Sequence, residues 1–570
     1  MVVLLFPPRF RFAASSLVST LALVLTYIQF KALVVSGSFL SARTLLAAWR
    51  FASQQPDIAA AYLSTRGAAK ILFLLAISGL LGGLGHFTAQ RWQLWRAEAP
   101  RPRIVPLALG AVVLASLGAA VWRRPITWQV SLFGAALSAY FPRAEDGFTQ
   151  HEFFSNLSVV QLDSAYRSLT QTPPYPQPNA IARNSDVVLV VLESIPSRCY
   201  DPAQDEAGLP TLSRLSRASY VSTRHYTTYS YTSFALYSIF SSQYVTRASK
   251  DLFDNAPQPV VPALASQLAS LGYETAVFSA YRPAFEDDHA MLQRLGVRKF
   301  FYGSSKGRGP SGPEIDQRAF AAMRDSIAGW IGDDKRYFAT FLPQASHGPW
   351  IDPDSAFDPS GDPLTRCRRL MRFYDSWLAD LVTLLEKNGR LASTLIVLVG
   401  DHGVRNRIED SSFTVGQVDD YTYRVPLLVY APGLGARQVR ITGPTSHIDI
   451  APTLLELLGV QRDRRFEQGV PLWTEGLAQR TVVLLGREFL GADGFYQQGR
   501  YAMRNAITEE TFSADTLHFG PQDRVQLGSP QYNRIVALLS TVYTLQLAWT
   551  SEWCCSSQLA GGQGRPRATP

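Results

Sequence analysis

The sequence predicts an α/β protein with a mostly parallel sheet sandwiched by helices, preceded by an N-terminal transmembrane helical region. Three observations carry this expectation. Beyond residue 185, short β-branched apolar runs alternate with stretches of helical apolar spacing, the pattern of a parallel sheet covered on both faces. Before residue 145, long segments without charge follow one another closely. Between the two regions, "QTPPYPQPNAIARNS" at 171–185 holds four prolines and reads as an extended linker. At 570 residues the chain exceeds a single core. It divides into a transmembrane region of three to four helices (1–145), a juxtamembrane segment with the linker (146–184), an α/β domain (185–545) and a C-terminal tail (546–570).

Residues 12–30, "FAASSLVSTLALVLTYIQF", and 104–122, "IVPLALGAVVLASLGAAVW", are long enough to cross hydrocarbon. The stretch at 71–87 is slightly shorter, and the more polar one at 126–141 reads equally as a span or an interfacial helix. The first segment is too long for a cleaved leader, and further spans follow it. Arg9 and Arg11, with Arg91, Arg96, Arg101 and Arg103, place their loops in the cytoplasm and the large C-terminal part outside. Arg123 and Arg124 oppose that orientation, as do the basic residues of the first loop. The expectation is a multi-pass protein of the cell (inner) membrane, its large domain facing outside or the periplasm.

The formal net charge is +8, but arginines are spread along the chain without a basic run, which argues against a nucleic-acid partner. The four cysteines, Cys199, Cys367, Cys554 and Cys555, show no regular spacing. They signal neither a disulfide framework nor a zinc finger.

In the α/β part the strand candidates are "DVVLVVLES" from 186, "YETAVFSA" at 273, "RYFATFLPQ" at 336, "TLIVLVGDHG" at 394 and "VPLLVYAPG" at 425. Ligands of such sheets collect beyond the carboxyl ends of the strands. Glu193 ends the first run, Asp401 and His402 end the run at 394, and His347 follows the run at 336. Thr232 lies in the hydroxyl-rich "YSYTSFALYSIFSS", 39 residues after Glu193. Two carboxylates and an imidazole suit one divalent metal, zinc or manganese. Such an ion would take the Thr232 hydroxyl as a fourth ligand and activate it as a nucleophile. Thr232 also stands at the head of an apolar helical run, where free N–H groups and the helix dipole suit a phosphate. Taken alone, Thr232 reads as a helix N-cap, and Glu193 as an ordinary carboxylate at a strand end. Asp449, just before "IAPTLLELLG", likewise reads as an N-cap with Pro452 in the first turn, and His225 and His289 as surface histidines.

Taken in order, "VVLVVLES", "SHGPW", "VLVGDHG", "VPLLVYAPG" and "SHIDIAPTLLELLG" resemble the alkaline phosphatase/sulfatase superfamily over roughly 184–465. With spans ahead of the domain, the likeness is to the membrane-anchored branch of lipoteichoic acid synthase-like phosphoglycerol transferases and phosphoethanolamine transferases. The resemblance implies Glu193, Thr232, Asp401 and His402 as metal ligands, Thr232 as nucleophile, and His347 on the substrate phosphate or leaving group. "TSFAL" lacks the Cys/Ser-x-Pro-x-Arg motif of true sulfatases, which disfavours sulfatase activity. The scarcity of cysteines moves the likeness toward the phosphoglycerol branch. The segment opened by Tyr281 and Arg282 resembles that branch's glycerol-contacting stretch, yet holds Phe285, Glu286 and Asp287 where a Trp-x-Arg grouping belongs. The resemblance implies a further phosphate-contacting histidine soon after "GDHG"; this sequence has none there, and Arg405 or Arg407 is the expected substitute.

The implied reaction is ping-pong transfer of a phosphoglycerol-like head group from a phospholipid donor to a glycan or lipid acceptor, through a phospho-threonine. Hydrolysis by the same residues, as a phosphodiesterase or phosphatase, is the alternative enzyme. An inactive sulfatase-like binding module is the alternative from another class.

Overall fold

The computed structural model describes residues 157–560 apart from 178, 204–207, 247–261, 282–287, 305–311, 348–362, 404–419, 463, 487–491, 506–509, 518 and 520. The expected spans at 12–30, 71–87, 104–122 and 126–141 lie outside these residues. Among the described residues no helix is long and apolar enough to cross a membrane.

The main sheet has nine strands: β1 Asp186–Leu192, β2 Ser219–Tyr226, β3 Glu274–Tyr281, β4 Lys299–Ser304, β5 Tyr337–Leu342, β6 Thr394–Gly400, β7 Arg424–Tyr430, β8 Val439–Ile441 and β9 Thr445–Ser446. Their order is β4-β3-β5-β1-β6-β7-β2-β8, with β9 also paired to β2. From β4 through β6 every pairing is parallel. β7 runs antiparallel to both β6 and β2, so this side of the sheet departs from the parallel pattern. β1 is the central strand, and all seven of its residues are buried. Successive side chains of a strand point to opposite faces. Thus Val187, Leu189 and Val191 enter one core, and Val188, Val190 and Leu192 enter the other.

Helices cover both faces. α1 (Val159–Thr170), α2 (Thr232–Ser241), α5 (Ile450–Leu457) and α6 (Pro530–Ala560) contribute to the first core. α3 (Gly312–Gly332) and α4 (Pro363–Lys387) contribute to the second. α1 begins with a capping box, in which Ser158 and Gln161 bond each other's backbone N–H groups. Its buried Leu162 and Tyr166 share the first core with Ile535, Leu538, Val542 and Trp549 of α6. Part of the segment read as juxtamembrane therefore belongs to the globular core, and α6 runs across the expected 545/546 boundary. An antiparallel sheet that the sequence pattern did not announce follows: β10 Val482–Leu484, β11 Ala492–Gln497, β12 Arg500–Asn505 and β13 Thr511–Ala514.

His225, expected on the surface, is 1% exposed and its ring lies 5.2 Å from that of His447. The reason is its place on β2, between β7 and β9. His447 Nε2 donates to the carbonyl oxygen of Gly400 at 2.9 Å and so ties the end of β6 to the chain after β9. Asp449 stands before α5, as expected of an N-cap, but its side chain does not cap that helix. It accepts instead from the N–H groups of Ser446 and Val470 and from the guanidinium of the fully buried Arg480.

Burial holds His447 neutral, with its pKa lowered to about 3, and keeps His225 well below the usual range for the same reason. The unfolded chain takes up these protons first, so stability present above the unfolded value near 6.5 is lost as pH falls toward the folded value. In denaturant titrations, the advantage of the wild type over His447→Gln at pH 7.5 should shrink by about 2 kcal/mol at pH 5. An advantage independent of pH would show that His447 is not held neutral.

One disulfide joins Cys199, in the loop after β1, to Cys367 on α4, with Cα atoms 5.9 Å apart across 168 residues of sequence. Its absence from the sequence expectation has a physical reason: the pair is set by packing of α4 on the sheet, which residue spacing does not encode. The Cys199→Ser/Cys367→Ser variant should lose about 2–5 kcal/mol of unfolding free energy, matching the reduced wild type in urea titrations. A variant as stable as the oxidised wild type would rule out this contribution.

Candidate active site

The carboxyl ends of β3, β5, β1 and β6 lie side by side, which gathers residues far apart in sequence at one sheet edge. Glu193 follows β1 directly, and Asp401 and His402 follow β6. β1 and β6 are paired in parallel from Asp186↔Thr394 to Leu192↔Gly400, and this register sets Glu193 beside Asp401. The two chains approach closely here. A Cβ on Gly400 would meet the Ile195 carbonyl oxygen at 2.5 Å, so only glycine fits before Asp401.

Thr232 is the first residue of α2. The N-cap is Tyr231, and no side chain caps the helix, so Thr232 is not the N-cap that its sequence position suggests. Its hydroxyl turns to the sheet edge instead. Oγ1 lies 3.1 Å from Glu193 Oε2 and 3.2 Å from His402 Nε2. His402 Nε2 is in turn 3.8 Å from Glu193 Oε1 and 3.5 Å from Asp401 Oδ2. Three other hydroxyls of the stretch hold structure: Ser238 accepts from Thr228, Ser241 donates to the Tyr237 carbonyl, and Ser242 donates to that of Ile448.

The protons in this cluster are few. A carbonyl can only accept, so the 2.9 Å contact to the Gly403 oxygen places the neutral imidazole's hydrogen of His402 on Nδ1. Nε2 then presents a lone pair to Thr232, Glu193 and Asp401. The Thr232 hydroxyl has one proton for two acceptors. Asp401 Oδ2 is buried without a hydrogen-bond partner, although Oδ1 accepts from the N–H groups of Ser194 and His402. Burial and the Glu193 charge push the Asp401 carboxyl well above its ordinary range. Burial also raises Glu193, but the electrostatic influence of nearby His347 and His402, with hydrogen bonds from the Ser194 and Thr232 hydroxyls, brings it below its ordinary value. Glu193, Asp401 and His402 present ligand atoms within 4.8 Å of one another. Converging lone pairs, one orphaned carboxylate oxygen and few protons fit a cation, with the Thr232 hydroxyl as a further oxygen ligand.

Ser194 is a site residue that sequence reasoning missed. It adopts φ 56°, in the left-handed region that non-glycine residues rarely occupy. This turn lets its hydroxyl donate to Glu193 Oε1 at 2.6 Å while its N–H donates to Asp401 Oδ1 at 2.8 Å. A serine after a strand-end glutamate carries no signal of that kind.

His347 is exposed on the turn after β5, and its charge acts on Glu193. Tyr281 ends β3 at the same sheet edge. Arg282, Arg405 and Arg407 lie outside the described residues, as do Phe285, Glu286 and Asp287. His289 is part-buried rather than on the open surface, with Nδ1 2.6 Å from the Tyr302 hydroxyl and its ring 4.0 Å from that of Phe300.

A sulfatase family model matches residues 185–460. The lipoteichoic acid synthase-like protein YvgJ of Bacillus subtilis is 23% identical over 333 residues, covering 54% of this chain and 53% of that protein. The chain thus spans about half the length of this curated relative. Among solved structures, the lipoteichoic acid synthase LtaP of Listeria monocytogenes superposes with TM-score 0.53 at 17% identity, over 70% of this chain and 98% of that one. An alkaline phosphatase superfamily protein of Vibrio parahaemolyticus gives TM-score 0.55 at 15% identity, over 71% of this chain and 99% of that one. These likenesses show the fold that the sheet order and the sequence motifs already suggest. Residues 185–460 are thus similar in sequence to the sulfatase family, and the chain shares the fold of these solved structures.

Proposed function

We propose that the protein is a metal-dependent transferase that moves a phosphoglycerol-like head group from a phospholipid to a glycan or lipid acceptor through a phospho-threonine. The observation that carries this reading is the convergence of the Thr232 hydroxyl on Glu193 and His402, beside the orphaned Asp401 oxygen. The likeness to lipoteichoic acid synthase-like proteins supports the transferase over the other chemistries of the fold. A divalent ion, zinc or manganese, held by Glu193, Asp401, His402 and Thr232, would supply Lewis acidity to the phosphoryl oxygens and lower the hydroxyl pKa.

Thr232 Oγ1 attacks phosphorus, and the bond to the diacylglycerol oxygen breaks as the new P–O bond forms. Glu193 Oε2, the hydroxyl's acceptor in the resting site, orients this oxygen, takes its proton as the bond to phosphorus forms and returns it when Oγ1 is displaced. The N-terminus of α2 stabilises negative charge on the phosphoryl group. His347 protonates the departing oxygen, then takes the proton of the acceptor hydroxyl as that group displaces Oγ1. Tyr281, Arg282, Arg405 and Arg407 are the proposed head-group contacts. The buried disulfide supports an outward or periplasmic domain, because cytosolic thiols are kept reduced.

Metal analysis of the purified protein should find about one zinc or manganese per chain, lost on Asp401→Ala. Incubation with phosphatidylglycerol should add a glycerophosphate mass to the wild type and nothing to Thr232→Ala. A metal-free protein that forms no adduct with any phospholipid would overturn the enzyme reading. An adduct discharged as readily by water as by glycan or lipid acceptors would make the enzyme a hydrolase. Exchange of His347 for alanine should slow diacylglycerol release by about 10²–10⁴-fold, and an unchanged rate would remove His347 from the chemistry.

A further inference from the structure

The turn that carries His347 is held by buried side chains of two helices, α3 and α4. Asp316, on α3, is fully buried. Its Oδ1 accepts from the Gln344 N–H and its Oδ2 from the Ala345 N–H, both at 2.8 Å. Tyr374, on α4, is also buried and donates its hydroxyl to Ser346 Oγ at 3.0 Å. The His347 N–H closes the turn on the Gln344 carbonyl at 3.0 Å. Three consecutive residues before His347 are therefore bonded to side chains of α3 and α4. Burial and the charge of Asp316 push the Tyr374 hydroxyl well above its usual range, which keeps it a donor.

Most loops rest on their own backbone bonds and surface contacts. Here an exposed imidazole is mounted on a turn whose backbone N–H groups are bonded to a buried carboxylate, a geometry that fixes the backbone from which the ring projects. We propose that Asp316 and Tyr374 are positioning residues for the transfer reaction, bracketing the 344–346 turn so that His347 meets the departing and attacking oxygens. This rests on the proposed role of His347. Cys367 lies on α4 two helical turns before Tyr374, so the disulfide anchors the same helix that bonds Ser346.

Asp316→Asn tests the bracket with little change of shape. Asparagine offers one acceptor and one NH2 donor, so one of the two facing N–H groups loses its partner. The measurements are diacylglycerol release from phosphatidylglycerol in detergent micelles, and amide hydrogen exchange over 343–347, in the full chain. Asp316→Asn should lower kcat by about 10–100-fold with KM unchanged in the His347-containing protein, and have no further effect on the His347→Ala protein. Tyr374→Phe, which keeps the ring and loses one bond, should show the same dependence on His347 at about threefold. In both variants the 344–346 amides should exchange faster while those of β5 stay protected. Equal losses with and without His347 would show a merely structural role and overturn the inference while leaving the proposed function intact. If His347→Ala itself has no effect, the reading of His347 fails and the positioning inference falls with it. Unchanged exchange at Gln344 and Ala345 would overturn the bracket whatever the turnover, and should Asp316→Asn fail to fold, Tyr374→Phe decides by the same criteria.

Discussion

Glu193 and Asp401 are two carboxylates almost wholly withdrawn from water at the ends of neighbouring strands. Placing like charges together under burial costs free energy that a soluble fold avoids unless something compensates it. Part of the compensation is internal: the Ser194 N–H and hydroxyl reach one carboxylate each, and the His402 N–H reaches Asp401. The rest is left open, since Asp401 Oδ2 has no hydrogen-bond partner and His402 Nε2 faces oxygen atoms. A fold that buries acceptors without donors is shaped for a cation, and much of the surrounding architecture follows from holding those acceptors in place.

That holding is done by the sheet. The unbroken parallel register of β1 and β6 sets the spacing of Glu193 and Asp401. Gly400 permits the close approach, and His447 grips its carbonyl from the far side of the strand end. β5 lies on the other side of β1, so the turn bearing His347 opens onto the same edge. α2 brings Thr232 in from the first core with every residue behind it buried. A helix so enclosed moves as part of the core, which gives its leading hydroxyl a fixed address.

The legible part of this arrangement is the part written in short-range pattern. Six apolar residues before Glu193 announce a buried strand, and a similar signal before Asp401 and His402 places all three at a sheet edge. Thr232 is singled out by the resemblance and by its place after Glu193, although local propensity alone makes it a helix cap, and the structure brings its hydroxyl beside Glu193. What escaped depends on tertiary packing. The left-handed turn at Ser194 has no composition signal, the disulfide partners lie 168 residues apart, and His225 is buried only because β7 and β9 flank its strand. The antiparallel β7 reads like its parallel neighbours because strand direction leaves no mark on a buried apolar run. Asp316 carries no sequence signal of its contact, since the N–H groups it serves belong to a loop far along the chain.

The histidines show how packing sorts one residue type into different duties. His447 and His225 are sealed in the core and kept neutral, and His447 serves as a hydrogen-bond donor at the end of β6. His402 is part-buried, with Nδ1 committed to a backbone carbonyl, which leaves Nε2 to the oxygen cluster. His347 alone of the four is exposed, and it sits where its charge is felt by Glu193. Proton transfer requires a ring that can exchange protons with its surroundings, and ligation requires one whose lone pair is held still. The degree of burial thus agrees with the proposed roles: the sealed rings support, the half-sealed ring is the proposed ligand, and the exposed ring is the proposed proton carrier.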